Sequence, residues 1–155
     1  MAWGVNNVGQ LGNGTTGSPA ACGCSSTPVA VSNLSGVKAI AGGGVNSLAL
    51  KTDGTVRSWG SNDADQLGNG TSGGISNTPV TVINLNGVKA IDAGGNFGLA
   101  LKKTRTGTVV RAWGGNLSGQ LGNPNIGNSS NVPVAVSGLK GVKAISAGGF
   151  HSLAK

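Results

Sequence analysis

What this sequence lacks first is any stretch in which a helix could grow. Gly accounts for 30 of the 155 residues, where a share of about 7% is usual. The longest glycine-free runs, 24–35 and 75–86, are 12 residues each, and each holds a proline, Pro28 or Pro79. Helices average about 11–12 residues and tolerate neither residue well inside, so an α-rich fold is excluded. No apolar run approaches the roughly 18–20 residues of a membrane span. A charged segment leading into an apolar one, the mark of a signal peptide, is missing as well. The chain is therefore expected to be soluble, with its compartment open. Cysteine occurs twice, at Cys22 and Cys24, too few for a disulfide framework or a four-ligand zinc site. Both lie in the longest connecting loop and are expected as free thiols. Disorder is excluded too, because 37% of residues are hydrophobic and only 10% charged.

Negative charge is scarce. Four aspartates and no glutamate stand against 11 Lys and Arg, for a formal net charge of +7. Such a balance invites a nucleic-acid or acidic-surface reading. The cations are spread from Lys38 to Lys155 without a run, and the plain reading is solvated charge that keeps a glycine-rich protein soluble.

What is present in abundance is internal repetition. Trp3, Trp59 and Trp113 each precede Gly, and seven residues after each comes Gln-Leu-Gly-Asn, led by Gln10, Gln66 and Gln120. Pro-Val-x-Val follows at Pro28, Pro79 and Pro133, then Gly-Val-Lys-Ala-Ile at Gly36, Gly87 and Gly141. Gly-Gly pairs start at Gly43, Gly94 and Gly148, and the trios Ser47-Leu48-Ala49, Gly98-Leu99-Ala100 and Ser152-Leu153-Ala154 come after them. Pro-Val-x-Val and Gly-Val-Lys-Ala-Ile alternate as strands do. The segment from Ser47 to Trp59 reads as a hairpin, with Asp53-Gly54 suited to a primed turn. About four short strands per repeat is the arithmetic of a propeller blade. The tryptophans are expected to wedge between blades, and the Gln side chains to bond backbone within their own segment.

The string Trp-Gly-x-Asn-x-x-Gly-Gln-Leu-Gly-Asn-Gly, with the motifs that follow it, resembles the regulator of chromosome condensation repeat, in three copies over essentially the whole chain. The resemblance implies an all-β fold, a β-propeller of four-stranded blades, commonly seven to a ring. This chain departs from the family pattern in three places. Asn46, Phe97 and His151 stand where the family often has His. Asp65 replaces the Gly of the other copies, Gly9 and Gly119, and Pro124 replaces Gly14 and Gly70. The family archetype exchanges guanine nucleotide on a small GTPase while docked on chromatin, but no basic arm or acidic GTPase-facing stretch matches here. A secreted inhibitor or surface adhesin of bacterial type is the alternative that the Asn, Gly, Ser and Thr content fits.

The repeat runs out of phase with the chain. Residues 1–4 match the second half of the Leu-to-Trp hairpin and residues 150–155 the first half. Three blades fall short of the roughly four to eight that close a ring. The expectation is one repeat domain, 1–155, whose N-terminal strand 1–4 completes the blade of the C-terminal strand 150–155 of another chain. A homodimer would then have six blades and a trimer nine. Ala2, Trp3, His151, Ser152 and Leu153 are the expected oligomer interface.

Catalytic chemistry is hard to find. His151 is the sole histidine, no serine has a credible base and orienting acid, and Asp63 and Asp65 lack counterparts in the other copies. No catalytic, cofactor or metal residue is assigned, and no cofactor is expected. Lys38, Lys89 and Lys143, the one charged position present in every copy, are a candidate polyanion contact; the plain alternative is a strand charge that discourages edge pairing. The function expected is a non-enzymatic scaffold or binding module for an unidentified protein partner, as an excised or engineered three-blade piece. Nucleic acid would bind only weakly and without sequence preference, and no membrane contact is expected.

Overall fold

The computed structural model describes residues 1–17 and 23–155. Among them are twelve strands: β1 Ala2–Val5, β2 Cys24–Val29, β3 Val37–Gly42, β4 Asn46–Lys51, β5 Val56–Ser61, β6 Ile75–Thr81, β7 Val88–Ala93, β8 Phe97–Thr104, β9 Gly107–Gly115, β10 Ser129–Ala135, β11 Ile145–Ala147 and β12 Ser152–Ala154. They form two four-stranded antiparallel meanders, β3–β6 and β7–β10, and two two-stranded sheets, β1–β2 and β11–β12. Each four-stranded sheet is one blade. The terminal sheets are partial: β1–β2 correspond to the two outer strands of a blade and β11–β12 to the two inner strands of one. No helix among the described residues is long and apolar enough to cross a membrane.

Each blade is built of strands with apolar residues on both faces, because each is packed between neighbours. Leu48, Leu50, Val56 and Val82 of the β3–β6 sheet meet Val88, Ala93, Ala100 and Trp113 of the next sheet. Phe97, Leu99, Leu101, Val110 and Ala112 continue the packing toward Val142, Ile145 and Ala147. The inner glycine turns are stitched directly, Gly44 N–H to the Gly94 carbonyl at 3.2 Å and Gly95 N–H to the Gly149 carbonyl at 3.1 Å. A Cβ on Gly44 would lie 2.8 Å from the Gly95 oxygen, which is why small residues recur there.

The irregular segment after each Trp-Gly is held by one asparagine. Asn62 Oδ1 accepts from the Leu67 amide at 3.0 Å, and its Nδ2 donates to the Thr71 carbonyl at 3.0 Å. Asn6 does the same with Leu11 and Thr15, and Asn116 with Leu121 and the carbonyls of Ile126 and Gly127. All three are buried. The glutamine side chains bond within their own segment, Gln10, Gln66 and Gln120 each accepting from the amide two residues earlier at 2.8–3.0 Å.

Two local expectations are corrected. The Asp53-Gly54 turn is not of the primed type: Gly54 has φ +80° while Asp53 is absent from the left-handed region. Gly54 N–H donates to the Lys51 carbonyl at 3.0 Å and Lys51 N–H to the Thr55 carbonyl at 2.9 Å, giving a three-residue loop that ends in a left-handed glycine. Cys24 opens strand β2 rather than lying in the connecting loop, and it is disulfide-bonded rather than a free thiol; Cys22 lies outside the described residues. Asp65, the departure from glycine, sits at φ +64° where Gly9 and Gly119 have +81° and +76°. Aspartate is among the few side chains that tolerate this region, and its carboxylate accepts from Ser129 Oγ of the next sheet at 2.5 Å.

Asn62→Ala is expected to destabilise the chain by about 2–3 kcal/mol, since it strands the buried Leu67 amide; urea melts check this. Gly98→Ser, which restores the serine of the other copies, is also expected to destabilise. The Trp113 ring already fills that space, 2.5 Å from a Cβ built on Gly98, and overpacking costs about 1–3 kcal/mol, readable by the same melts.

Candidate functional site

An antiparallel meander brings the starts of its odd strands and the ends of its even strands to one end of the sheet. In β3–β6 this is the end with the 52–55 turn; the long 62–74 connection lies at the other. Neighbouring sheets are joined like end to like end. At the turn end, Val88 N–H donates to the Gly54 carbonyl at 3.1 Å and Thr108 Oγ1 to the Val142 carbonyl at 2.6 Å. At the loop end lie the stitched glycine turns described above.

The cations follow this geometry. Lys38, Arg57 and Lys89 are the second residues of β3, β5 and β7, and Lys51 is the last of β4. Lys102 and Lys103 lie near the end of β8, and Arg105 in the turn that follows. Arg111 pairs with Ala135, the last residue of β10. Lys140 and Lys143 precede β11, and Lys155 follows β12. All 11 Lys and Arg of the chain therefore lie toward the turn end. Their scatter along the sequence, which argued against a cluster, is corrected by the fold.

The aspartates divide the other way. Asp63 and Asp65 lie in the long connection and Asp92 near the loop end of β7, leaving only Asp53 among the cations. Asp53 bonds Thr55 through both hydroxyl and amide, at 2.6 and 2.9 Å, and lies 3.6 Å from Lys51 Nζ. The Thr55 bonds, with the Lys51 charge adding to them, hold its carboxyl below the ordinary value. Eleven cations against one aspartate make the turn end +10, and three aspartates make the loop end −3, which together give the +7 of the chain. Lys38, Lys89 and Lys143 are all exposed in this basic end; sequence reasoning picked these three and missed the eight around them.

The residues weighed for chemistry have structural surroundings. His151 lies over Gly148, 2.3 Å from a Cβ built there, as Phe97 lies over Gly94 and Asn46 over Gly43. The position thus fills the hollow above the first glycine of each Gly-Gly pair. Among the described residues no group of three His, Cys, Asp or Glu side chains could hold a metal ion.

The expected interface residues lie on two open edges. Trp59 and Trp113 are buried, whereas Trp3 is 66% exposed. Leu153, on β12, is 60% exposed, while its counterparts Leu48 and Leu99 are fully buried. Ser152 donates to the Gln120 carbonyl at 2.7 Å, and Ala2 pairs with Val29 inside the small N-terminal sheet. Beside β12 runs a groove of about 440 Å³ lined by Leu99, Gln120, Gly122, Val136 and Ala154, among others. Beside β1 a second, of about 350 Å³, is lined by Ala2, Val31, Ile40, Leu48 and Trp59, among others.

Comparison with known proteins agrees with this architecture. The family model described as Regulator of chromosome condensation (RCC1) repeat matches residues 2–50, 53–101 and 110–154. The chain is 35% identical over 162 residues to the E3 ubiquitin-protein ligase HERC2 of Mus musculus, with 98% of this chain and 3% of that protein covered. It is 36% identical over 152 residues to the RCC1 domain-containing protein RUG3, mitochondrial, of Arabidopsis thaliana, covering 94% of this chain and 33% of that one. Prp20p from Saccharomyces cerevisiae superposes with a TM-score of 0.82 over 98% of this chain and 38% of its own, at 22% identity. The chain thus spans a minor part of the length of these relatives. Three matched repeats and two complete four-stranded blades place the chain in the regulator of chromosome condensation (RCC1) repeat family.

Proposed function

We propose that this chain is a non-enzymatic propeller module, a scaffold that docks a phosphate-rich polyanion on its basic end. The observation that carries the docking reading is the gathering of every cation at one end of the molecule. Charges of one sign spread over a broad face attract a polyanion over about one Debye length, roughly 8 Å at physiological salt. No base-reading element such as a helix for the major groove is present among the described residues, so the contacts go to phosphates and carry no sequence preference.

Relatives of the family act through partners. Prp20p has binding properties toward Gsp1p and histones; for the present chain the protein partner is set by loops that differ from copy to copy, and the ligase activity named for HERC2 is not assigned to it.

The docking reading is tested by titrating labelled duplex DNA of two unrelated sequences at several salt concentrations. Equal affinities are expected, falling steeply with salt. Combining Lys38→Gln, Lys89→Gln and Lys143→Gln should flatten the log–log salt slope by up to about 2.7, at roughly 0.9 per lost phosphate contact. Salt-independent binding, or no binding at low salt, overturns the reading.

A further inference from the structure

The two complete blades differ most at their middle hairpins. In the first, β4 turns back after Lys51 through residues 52–54, and the tip carries Asp53. In the second, the ladder runs on past the pair Lys102–Val109 for two further pairs, Lys103 with Thr108 and Thr104 with Gly107, and turns at Arg105 and Thr106. Matching bonds set the two hairpins level. Thr52 N–H donates to the Gly36 carbonyl at 2.7 Å, and Lys103 N–H to the Gly87 carbonyl at 3.1 Å. Past that level the first hairpin has only Asp53 and Gly54, whereas residues 104–107 of the second continue outward. At about 3.3 Å per residue, the second tip reaches roughly 5 Å farther from the basic end.

The longer hairpin is also the more basic one. Where the first tip has an aspartate, the second has Arg105, with Lys102 and Lys103 on the strand that leads to it. Lys89 adds to them: Val88 pairs with Lys102 and Ala90 with Leu101, so Lys89 is the extra residue of a bulge beside Lys102. With Arg111 the second blade has five cations at its turn end and no carboxylate there, since no Asp or Glu follows Asp92. The first blade has three, Lys38, Lys51 and Arg57, with Asp53 among them.

The kind of polyanion follows from the shape and from what is missing. Single strands are held by stacking bases on aromatic side chains, and no aromatic residue occurs between Phe97 and Trp113, both of which are buried. A two-stranded ribbon fits the major groove of B-form DNA, about 12 Å wide, but not its minor groove of about 6 Å. The major groove of A-form RNA is too narrow to receive it.

We infer that the tip of the β8–β9 hairpin enters the major groove of duplex DNA, with Lys103 and Arg105 on the phosphates of the groove walls and Lys89 and Lys102 at its rim. This rests on the docking reading above and centres it on the second blade. Cations that meet the walls hold phosphate, which carries no sequence information.

The test compares two double variants of the full chain on labelled duplex DNA at low salt. Lys103→Gln with Arg105→Gln should weaken binding about ten-fold or more and flatten the log–log salt slope by up to about 1.8. Lys38→Gln with Arg57→Gln removes the same charge from the first blade and should cost only about two- to three-fold. Lys103 and Arg105 are exposed, so the hairpin variant should keep the wild-type melt. A duplex whose cytosines carry glucosylated hydroxymethyl groups, which fill the major groove, should bind about ten-fold more weakly than the unmodified duplex, while netropsin in the minor groove should leave binding unchanged. Equal losses from the two double variants, indifference to the glucosylated duplex, or competition by netropsin overturns the hairpin contact and leaves the docking reading standing. No binding of any duplex at low salt overturns both.

Discussion

The arrangement depends on one contact, the indoles of Trp59 and Trp113 each lying on a glycine of the sheet before it with the N–H on a backbone carbonyl. The glycine has to be in the left-handed region and bare, since any side chain would occupy the space of the ring. The carbonyl has to be held in place, and the buried asparagine of Trp-Gly-x-Asn holds it by bonding the amide of the following leucine. The indole brings the largest apolar area in the repeat and one donor that must be satisfied when buried. The Trp, Asn, Gln-Leu-Gly and Ser-Leu-Ala motifs thus serve one joint, which accounts for their constant spacing better than separate roles would.

Much of this was legible in the residues. Period, strand alternation and glycine content led to blades. The turn at Asp53-Gly54 was misread because an Asp-Gly pair serves two loop types, and only the length of the hydrogen-bonded ring separates them. The role of the repeated asparagine went unseen because a polar residue beside a turn usually faces water. Its burial arises only when the loop folds back over it.

The basic end was missed for a more general reason. Cations separated by 1 to 32 residues look scattered along a line, but a meander of short strands folds those positions to one end of each sheet. The information was present: Lys at the start of an inner strand, Lys at the end of its neighbour and Arg at the start of the third must fall together once the hairpins are drawn. What the linear view lacks is the stacking of blades like end on like end, fixed by backbone bonds such as Val88 to Gly54 and Gly44 to Gly94.

The tryptophan joint also has a direction. Trp59 and Trp113 both point back along the chain, onto Gly12 and Gly68 of the preceding segment, so the two joints run the same way. A unit with unlike edges carries no stop signal of its own. Repeated through a rotation that comes full circle it gives a ring, and through one that does not it gives a helical filament of indefinite length. The angle that selects between these outcomes is set at the inner glycine turns, where backbone touches backbone. A single methyl group at Gly44 or Gly95 would press on the neighbouring backbone, 2.8 Å from the carbonyl oxygen of Gly95 or Gly149, so those two residues limit how closely consecutive sheets can meet.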